Sequence, residues 1–136
     1  MIYLDSCALV KLLLTETETP ALQAFLAAHA AYPYVTAALT RTEVMRVVRR
    51  AAPKDSQLHA SAVELVDQLD QVELERPLLD HAGIVADPQV RSLDAIHLAA
   101  ALRLAEALTA FVTYDHRLAS AARDAGLPVR SPGDPG

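Results

Sequence analysis

Two stretches near opposite ends of this 136-residue chain share one pattern: a short apolar run, then an aspartate, then a helical segment. Residues 1–4 lead into Asp5 and a helix through residue 14; residues 111–114 lead into Asp115 and a helix over 116–125, closed by Gly126. Apolar runs this short read as strands covered on both faces, the setting of a parallel sheet between helical layers. Each aspartate then stands where a strand ends and a helix begins, able to cap that helix. In open parallel sheets ligands bind beyond the carboxyl ends of the strands, where strand order reverses. If the two strands are neighbours, roughly 5 Å separates the two acids laterally.

The intervening chain is divided by prolines, with Pro20, Pro33, Pro53, Pro77, Pro88 and Pro128 each at a change of periodicity. Helical spacing predicts helices over 20–29, 38–51, 55–69 and 78–86, and a long one that Ser92 caps. Strands are expected at 34–36 and 72–74, with a last edge strand at 128–130, where proline is tolerated. Strands alternating with helices imply right-handed crossovers and a three-layer α/β/α domain around a parallel sheet of four to five short strands. One domain should occupy residues 1–130, since the 52% hydrophobic content suffices for a single core. Residues 131–136 are expected to form a disordered tail.

Several functions are excluded by what the chain lacks. Its four glycines, Gly83, Gly126, Gly133 and Gly136, form neither a P-loop nor a dinucleotide fingerprint. A phosphoryl-accepting receiver also places an aspartate after its first strand, but it needs a lysine at a later strand end, and the only lysines are Lys11 and Lys54. Cys7 is the single cysteine, so no disulfide framework or thiol-rich zinc cluster can form. Asp5 and Lys11 interrupt the first apolar residues, against a signal peptide or a membrane helix, and a cytoplasmic protein is expected. A net charge of -5 argues against holding nucleic acid by bulk positive potential, yet permits a local basic patch.

Two further acids have apolar surroundings. Asp94 lies in the first turn of the alanine- and leucine-rich helix that begins at Ser92, and Glu43 lies at the edge of a buried face made by Val44, Val47 and Val48. Asp5, Glu43, Asp94 and Asp115 brought together without a cation would repel, and some of their pKa values would rise. A hard divalent ion with oxygen ligands resolves that conflict. The chemistry it serves best is phosphodiester hydrolysis, in which the ion acidifies a water and orients the phosphate.

At these residues the chain resembles a known family. Ile2-Tyr-Leu-Asp-Ser-Cys-Ala-Leu-Val-Lys11, Thr42-Glu-Val, Ser92-Leu-Asp-Ala-Ile-His97 and Val112-Thr-Tyr-Asp115 are similar, in order and over nearly the whole chain, to the four acidic motifs of PIN-domain ribonucleases of the VapC toxin type. The resemblance implies a Mg²⁺- or Mn²⁺-dependent endoribonuclease, held in check by a VapB-type antitoxin and commonly a homodimer. It makes Asp5, Glu43, Asp94 and Asp115 the catalytic, metal-holding acids, with Ser6 and Thr113 as supporting hydroxyls. Cys7 departs from the pattern, standing where a hydroxyl or amide residue is usual, and a weaker hydrogen-bonding partner there could loosen Asp5. The alternative from another class is a PIN-like domain that binds RNA or a partner protein without catalysis.

Other side chains carry weaker signals. Arg46, Arg49 and Arg50, with Arg41 and Lys54, make the densest basic run, read either as an ordinary solvated face or as a contact for RNA or antitoxin. Glu43 has Arg46 and Arg50 on its own helix face as ion-pair partners. His97, one turn after Asp94, is assigned to hydrogen bonding within the core and left outside the site, as is His116.

Overall fold

The computed structural model describes residues 1–136. Five strands, β1 (Ile2–Leu4), β2 (Tyr34–Ala37), β3 (Asp70–Val72), β4 (Ala110–Val112) and β5 (Val129–Arg130), form one sheet in the order β3-β2-β1-β4-β5. Every pairing is parallel. The chain builds outward from β1 to β3 on one side, then crosses back to build β4 and β5 on the other. The switch point therefore lies between β1 and β4, which pair with Leu4 opposite Val112.

Alternation along these short strands divides the core in two. Ile2, Leu4, Ala110 and Val112 face α1 (Ser6–Leu13), α3 (Thr40–Ala51) and α4 (Ser56–Asp67), with Leu22 of α2 (Thr19–Ala28) completing that cluster. Tyr3, Val35, Ala37 and Phe111 face α5 (Arg76–Ala82), α6 (Ser92–Leu104) and α7 (His116–Asp124). A period of two thus sends successive residues of one strand into different helical layers. The Tyr3 and Phe111 rings stack across β1 and β4 with centroids 5.1 Å apart. The result is the expected α/β/α arrangement around a parallel sheet.

Boundaries differ from expectation where a local need outranks the apolar pattern. β3 begins at Asp70, two residues early, because this edge strand is held by backbone pairing to β2, Val35 opposite Asp70, and buries little. α5 covers Arg76–Ala82 because Pro77 suits a first turn, and it ends at Gly83. Ser92 does not cap α6; Arg91 occupies the cap position in an extended conformation, and no side chain bonds to the free amides. Gly126, at φ 85°, provides the left-handed turn after α7.

Residues 131–136, expected as a disordered tail, fold back on the end of β4. The Ser131 hydroxyl donates to the Thr113 carbonyl at 2.6 Å, the Tyr114 hydroxyl to the Pro132 carbonyl at 2.8 Å, and His116 Nε2 meets Asp134 at 2.7 Å. These partners lie 18 residues earlier, which is why composition alone reads the segment as free.

Candidate functional site

The acids after β1 and β4 share a local design. Asp5 caps α1 by accepting the Ala8 N–H at 2.9 Å, and Asp115 caps α7 by accepting from Arg117 and Leu118 at 2.9 and 3.0 Å. Because β1 and β4 are neighbours, the two caps stand side by side at the switch point. Thr113, fully buried, joins them: its hydroxyl donates to Asp5 Oδ2 at 2.5 Å and accepts the Asp115 N–H at 3.1 Å. Cys7 makes a second link. Its thiol donates to Asp5 Oδ1 at 3.0 Å, and its sulfur accepts the Tyr114 N–H at 3.3 Å. Burial first, and then the Asp5 charge, push the Cys7 thiol upward, so it stays an S–H donor. The residue that departs from the family pattern thus still holds Asp5.

Asp5 is only 3% exposed. Burial pushes its carboxyl up, opposed by the Cys7, Thr113 and Ala8 donors. Asp94, in the first turn of α6 and half-buried, is also pushed up, first by desolvation and then by Asp115, with Asp5 adding to the effect. Asp94 thus feels the charge of both strand-end aspartates, although the three come from separate elements. Asp94 has no hydrogen-bond partner, and only Oδ1 of Asp115 is used in capping.

Glu43 arrives from the first turn of α3, whose start is sealed by a 2.7 Å hydrogen bond between the buried Thr36 and Thr40 hydroxyls. Its partner is neither Arg46 nor Arg50. His97, 1% exposed, places Nε2 at 2.7 Å from Glu43 Oε1 and Nδ1 at 2.7 Å from the Tyr3 hydroxyl. A carboxylate only accepts, so Nε2 carries the hydrogen. The Tyr3 phenol stays protonated because burial, with Asp5 and Glu43 behind it, pushes its pKa well up, and it donates to Nδ1. The chain Tyr3, His97, Glu43 therefore ties α3 to α6 around the end of the sheet. The assignment of His97 to core hydrogen bonding describes its ring correctly, but the ring also orients Glu43. Its spacing of one turn from Asp94 was the available signal.

No three Asp, Glu, His or Cys side chains converge closely enough to make a ready ion cage. The donor chemistry still fits a hard divalent cation, since oxygens of Asp94, Asp115 and Glu43 are free of protein donors and the Asp94 carboxyl is pushed up by burial and by the charges of Asp115 and Asp5. Ser6, the first residue of α1, lines a cleft beside Asp115. Arg46, Arg49 and Arg50 are exposed on α3, and no acid pairs with them, whereas Arg41 bonds Asp67 at 2.7 Å. His116 is exposed and occupied by Asp134.

An open parallel α/β domain with acids at its single switch point is the class these features define. The chain belongs to the PIN domain family, whose model matches residues 2–124. It is 44% identical over 135 residues to Ribonuclease VapC47 of Mycobacterium tuberculosis (strain CDC 1551 / Oshkosh), covering 98% of each chain. It is 39% identical over 131 residues to Ribonuclease VapC46 of Mycobacterium tuberculosis (strain ATCC 25618 / H37Rv), covering 96% of this chain and 97% of that one. The fold also matches solved structures of low sequence identity. Mycobacterium tuberculosis VapC20, described as a Sarcin-Ricin loop cleaving toxin, superposes with a TM-score of 0.73 at 15% identity, covering 97% of this chain and 100% of that one. VapBC2 from Rickettsia felis, bound to a DNA fragment from its promoter, gives 0.68 at 13%, covering 96% and 98%.

Proposed function

We propose that this chain is a divalent-metal-dependent endoribonuclease, the toxin of a toxin–antitoxin pair. The observation that carries the reading is the set of acids at the switch point: Asp5 and Asp115 bridged by Thr113, with the Asp94 carboxyl pushed up by burial and then by the charges of both. The ribonuclease names of relatives sharing 39–44% of the sequence support the same class of reaction. Asp94, Asp115, Glu43 and Asp5 would hold Mg²⁺ or Mn²⁺, which when bound supplies an acidified water and neutralises charge on the phosphate. The chain's own groups do the positioning. Thr113 and Cys7 fix Asp5, and the Tyr3–His97 pair fixes Glu43. Arg46, Arg49 and Arg50 meet the RNA backbone, or the antitoxin that blocks it. The nuclease unit is read as residues 1–130.

Partners follow from the same reading: an RNA substrate, a VapB-type antitoxin, as in the two-protein assemblies VapBC2 and FitAB that share this fold, and a second copy of the chain. No helix is long and apolar enough to cross a membrane, in keeping with a cytoplasmic site of action. The purified protein, freed of any partner, should cleave RNA in Mg²⁺ or Mn²⁺ and leave 5′-phosphate and 3′-hydroxyl ends. Cleavage that persists undiminished in excess chelator, or in Asp94→Asn, would overturn the proposal. RNA binding without cleavage in either metal would point to the binding-module alternative.

A further inference from the structure

A cleft of about 400 Å³ opens beside the acids, between α1 and α3. Ser6, Cys7 and Asp115 line it next to the switch point, Val10 and Val47 give it apolar walls, and Glu16 stands in the loop after α1. Ser6, Cys7, Val10 and Lys11 of α1 line it, so the cleft runs along α1 away from the acids.

Glu16 is held there by a built arrangement. Lys11, only 8% exposed, bonds Glu16 Oε2 at 2.5 Å and Glu18 Oε2 at 2.9 Å, and its Nζ lies 4.7 Å from the centre of the Tyr114 ring. The buried Thr19 hydroxyl fixes the backbone as well, donating to the Lys11 carbonyl at 2.8 Å and accepting the Glu16 N–H at 2.9 Å. Two carboxylates thus use up the lysine's charge, and the cleft offers no free cation to a phosphate. What remains open is Glu16 Oε1, an acceptor beside apolar walls, on a side chain 45% exposed. Apolar walls with one fixed acceptor suit the flat ring and N–H edge of a nucleobase.

We infer that this cleft binds the base of the nucleotide adjoining the scissile bond, with Glu16 reading its donor edge; the inference rests on the ribonuclease reading. Guanine, whose adjacent N1–H and N2–H can both be directed at that one oxygen, is the preferred base. Uracil, whose single N–H lies between two carbonyl oxygens, is the poorest, because a carboxylate repels those oxygens. Glu18 provides an internal control, since it pairs with the same lysine but does not line the cleft.

The test uses short single-stranded RNAs differing at one base, bound to Asp94→Asn protein and followed by fluorescence anisotropy, with cleavage-site mapping on the unaltered protein. Guanine should bind on the order of tenfold more tightly than uracil at one position. Glu16→Gln should reduce that ratio to about twofold or less, while Glu18→Gln, an equal loss to Lys11, leaves it unchanged. Val47→Phe should weaken RNA binding by filling the cleft, with Mn²⁺ affinity unaltered by calorimetry. A guanine-to-uracil ratio near one in the parent, or equal shifts in Glu16→Gln and Glu18→Gln, would overturn the inference. Cleavage without base preference refutes this inference alone; a Glu16-dependent preference without cleavage refutes the ribonuclease reading and leaves the cleft assignment standing.

Discussion

Replacing Tyr3 by Phe removes a single oxygen from the centre of the molecule. The ring keeps its stacked contact with Phe111 at 5.1 Å, so little packing is lost. What disappears is the 2.7 Å hydrogen bond to His97 Nδ1. His97 is 1% exposed, so water does not replace the donor. An acceptor left unmet in such a place costs about 1–3 kcal/mol. In a chain of this length each kcal/mol corresponds to about 3–5 °C in melting temperature.

The decisive form of the experiment is a double-mutant cycle with His97→Leu. Once the imidazole is gone there is no Nδ1 to strand, so Tyr3→Phe should then cost less than about 0.5 kcal/mol. Urea unfolding of the four proteins, read by circular dichroism, measures the difference. If Tyr3→Phe costs the same with and without His97, within about 0.5 kcal/mol, the hydrogen bond is not what Tyr3 contributes and the Tyr3–His97–Glu43 chain is refuted. The same ring orients Glu43, so Tyr3→Phe should also weaken Mn²⁺ binding, on the order of tenfold by calorimetry, as loss of a group behind a metal ligand does.

Three other outcomes are expected. Asp94 has its carboxyl raised by burial, then by Asp115 and Asp5, so its ionised form destabilises the metal-free protein; the penalty is absent below the ordinary value of 3.8 and develops as pH rises through the raised one. Asp94→Asn in chelator should therefore melt higher than the parent at pH 7, by a margin that vanishes near pH 3. Mn²⁺ at about a hundred times its dissociation constant should stabilise the parent by about 2.7 kcal/mol, and thermal shift should show a clearly smaller gain for Asp94→Asn. Changing Arg46, Arg49 and Arg50 together to Gln should leave the melting temperature unaltered, since none is paired, and lower the slope of log affinity for single-stranded RNA against log salt by about 2.

The elements that order the site were legible because short-range rules govern them. Apolar runs ending in Asp5 and Asp115 needed only the strand and cap preferences of a few residues, and the sheet placed those runs side by side. Glu43 was legible from the valines that set its helix face. The core hydrogen bonding of His97 was legible but its partners were not, because Tyr3 and Glu43 lie 94 and 54 residues away, and a lone histidine on an apolar helix gives no sign of which strand or helix will meet it. The contacts of the terminal segment were not legible for the same reason: Ser131 and Asp134 find partners across the end of β4. Lys11 is a different kind of omission. Its acids are five and seven residues on, across the end of α1, close enough in sequence for the pairing to have been proposed.

The acids themselves divide into two kinds, and the division decides how the site must be probed. Asp5 and Asp115 use an oxygen to cap a helix, so Ala at either position removes a charge and a cap together and mixes loss of site with loss of fold. Asn keeps the cap, because its side-chain oxygen accepts the same amides about as well, and removes the charge, although at Asp5 its NH2 group also takes the place of the oxygen that accepts from Thr113. Asp94 and Glu43 have no capping role: α6 begins without a side-chain cap, and Glu43 is held by His97. Reading Asp5 as an ordinary cap is therefore correct and does not compete with reading it as a site acid. A strand end that must start a helix needs an acceptor there, and an aspartate supplies one with a second oxygen to spare. For Asp5 that oxygen is taken up by Thr113, and for Asp115 it remains open toward Asp94. Asymmetry follows between two motifs that look alike in sequence: Asp5 is held through both oxygens, whereas Asp115 and Asp94 keep oxygens that no protein donor meets.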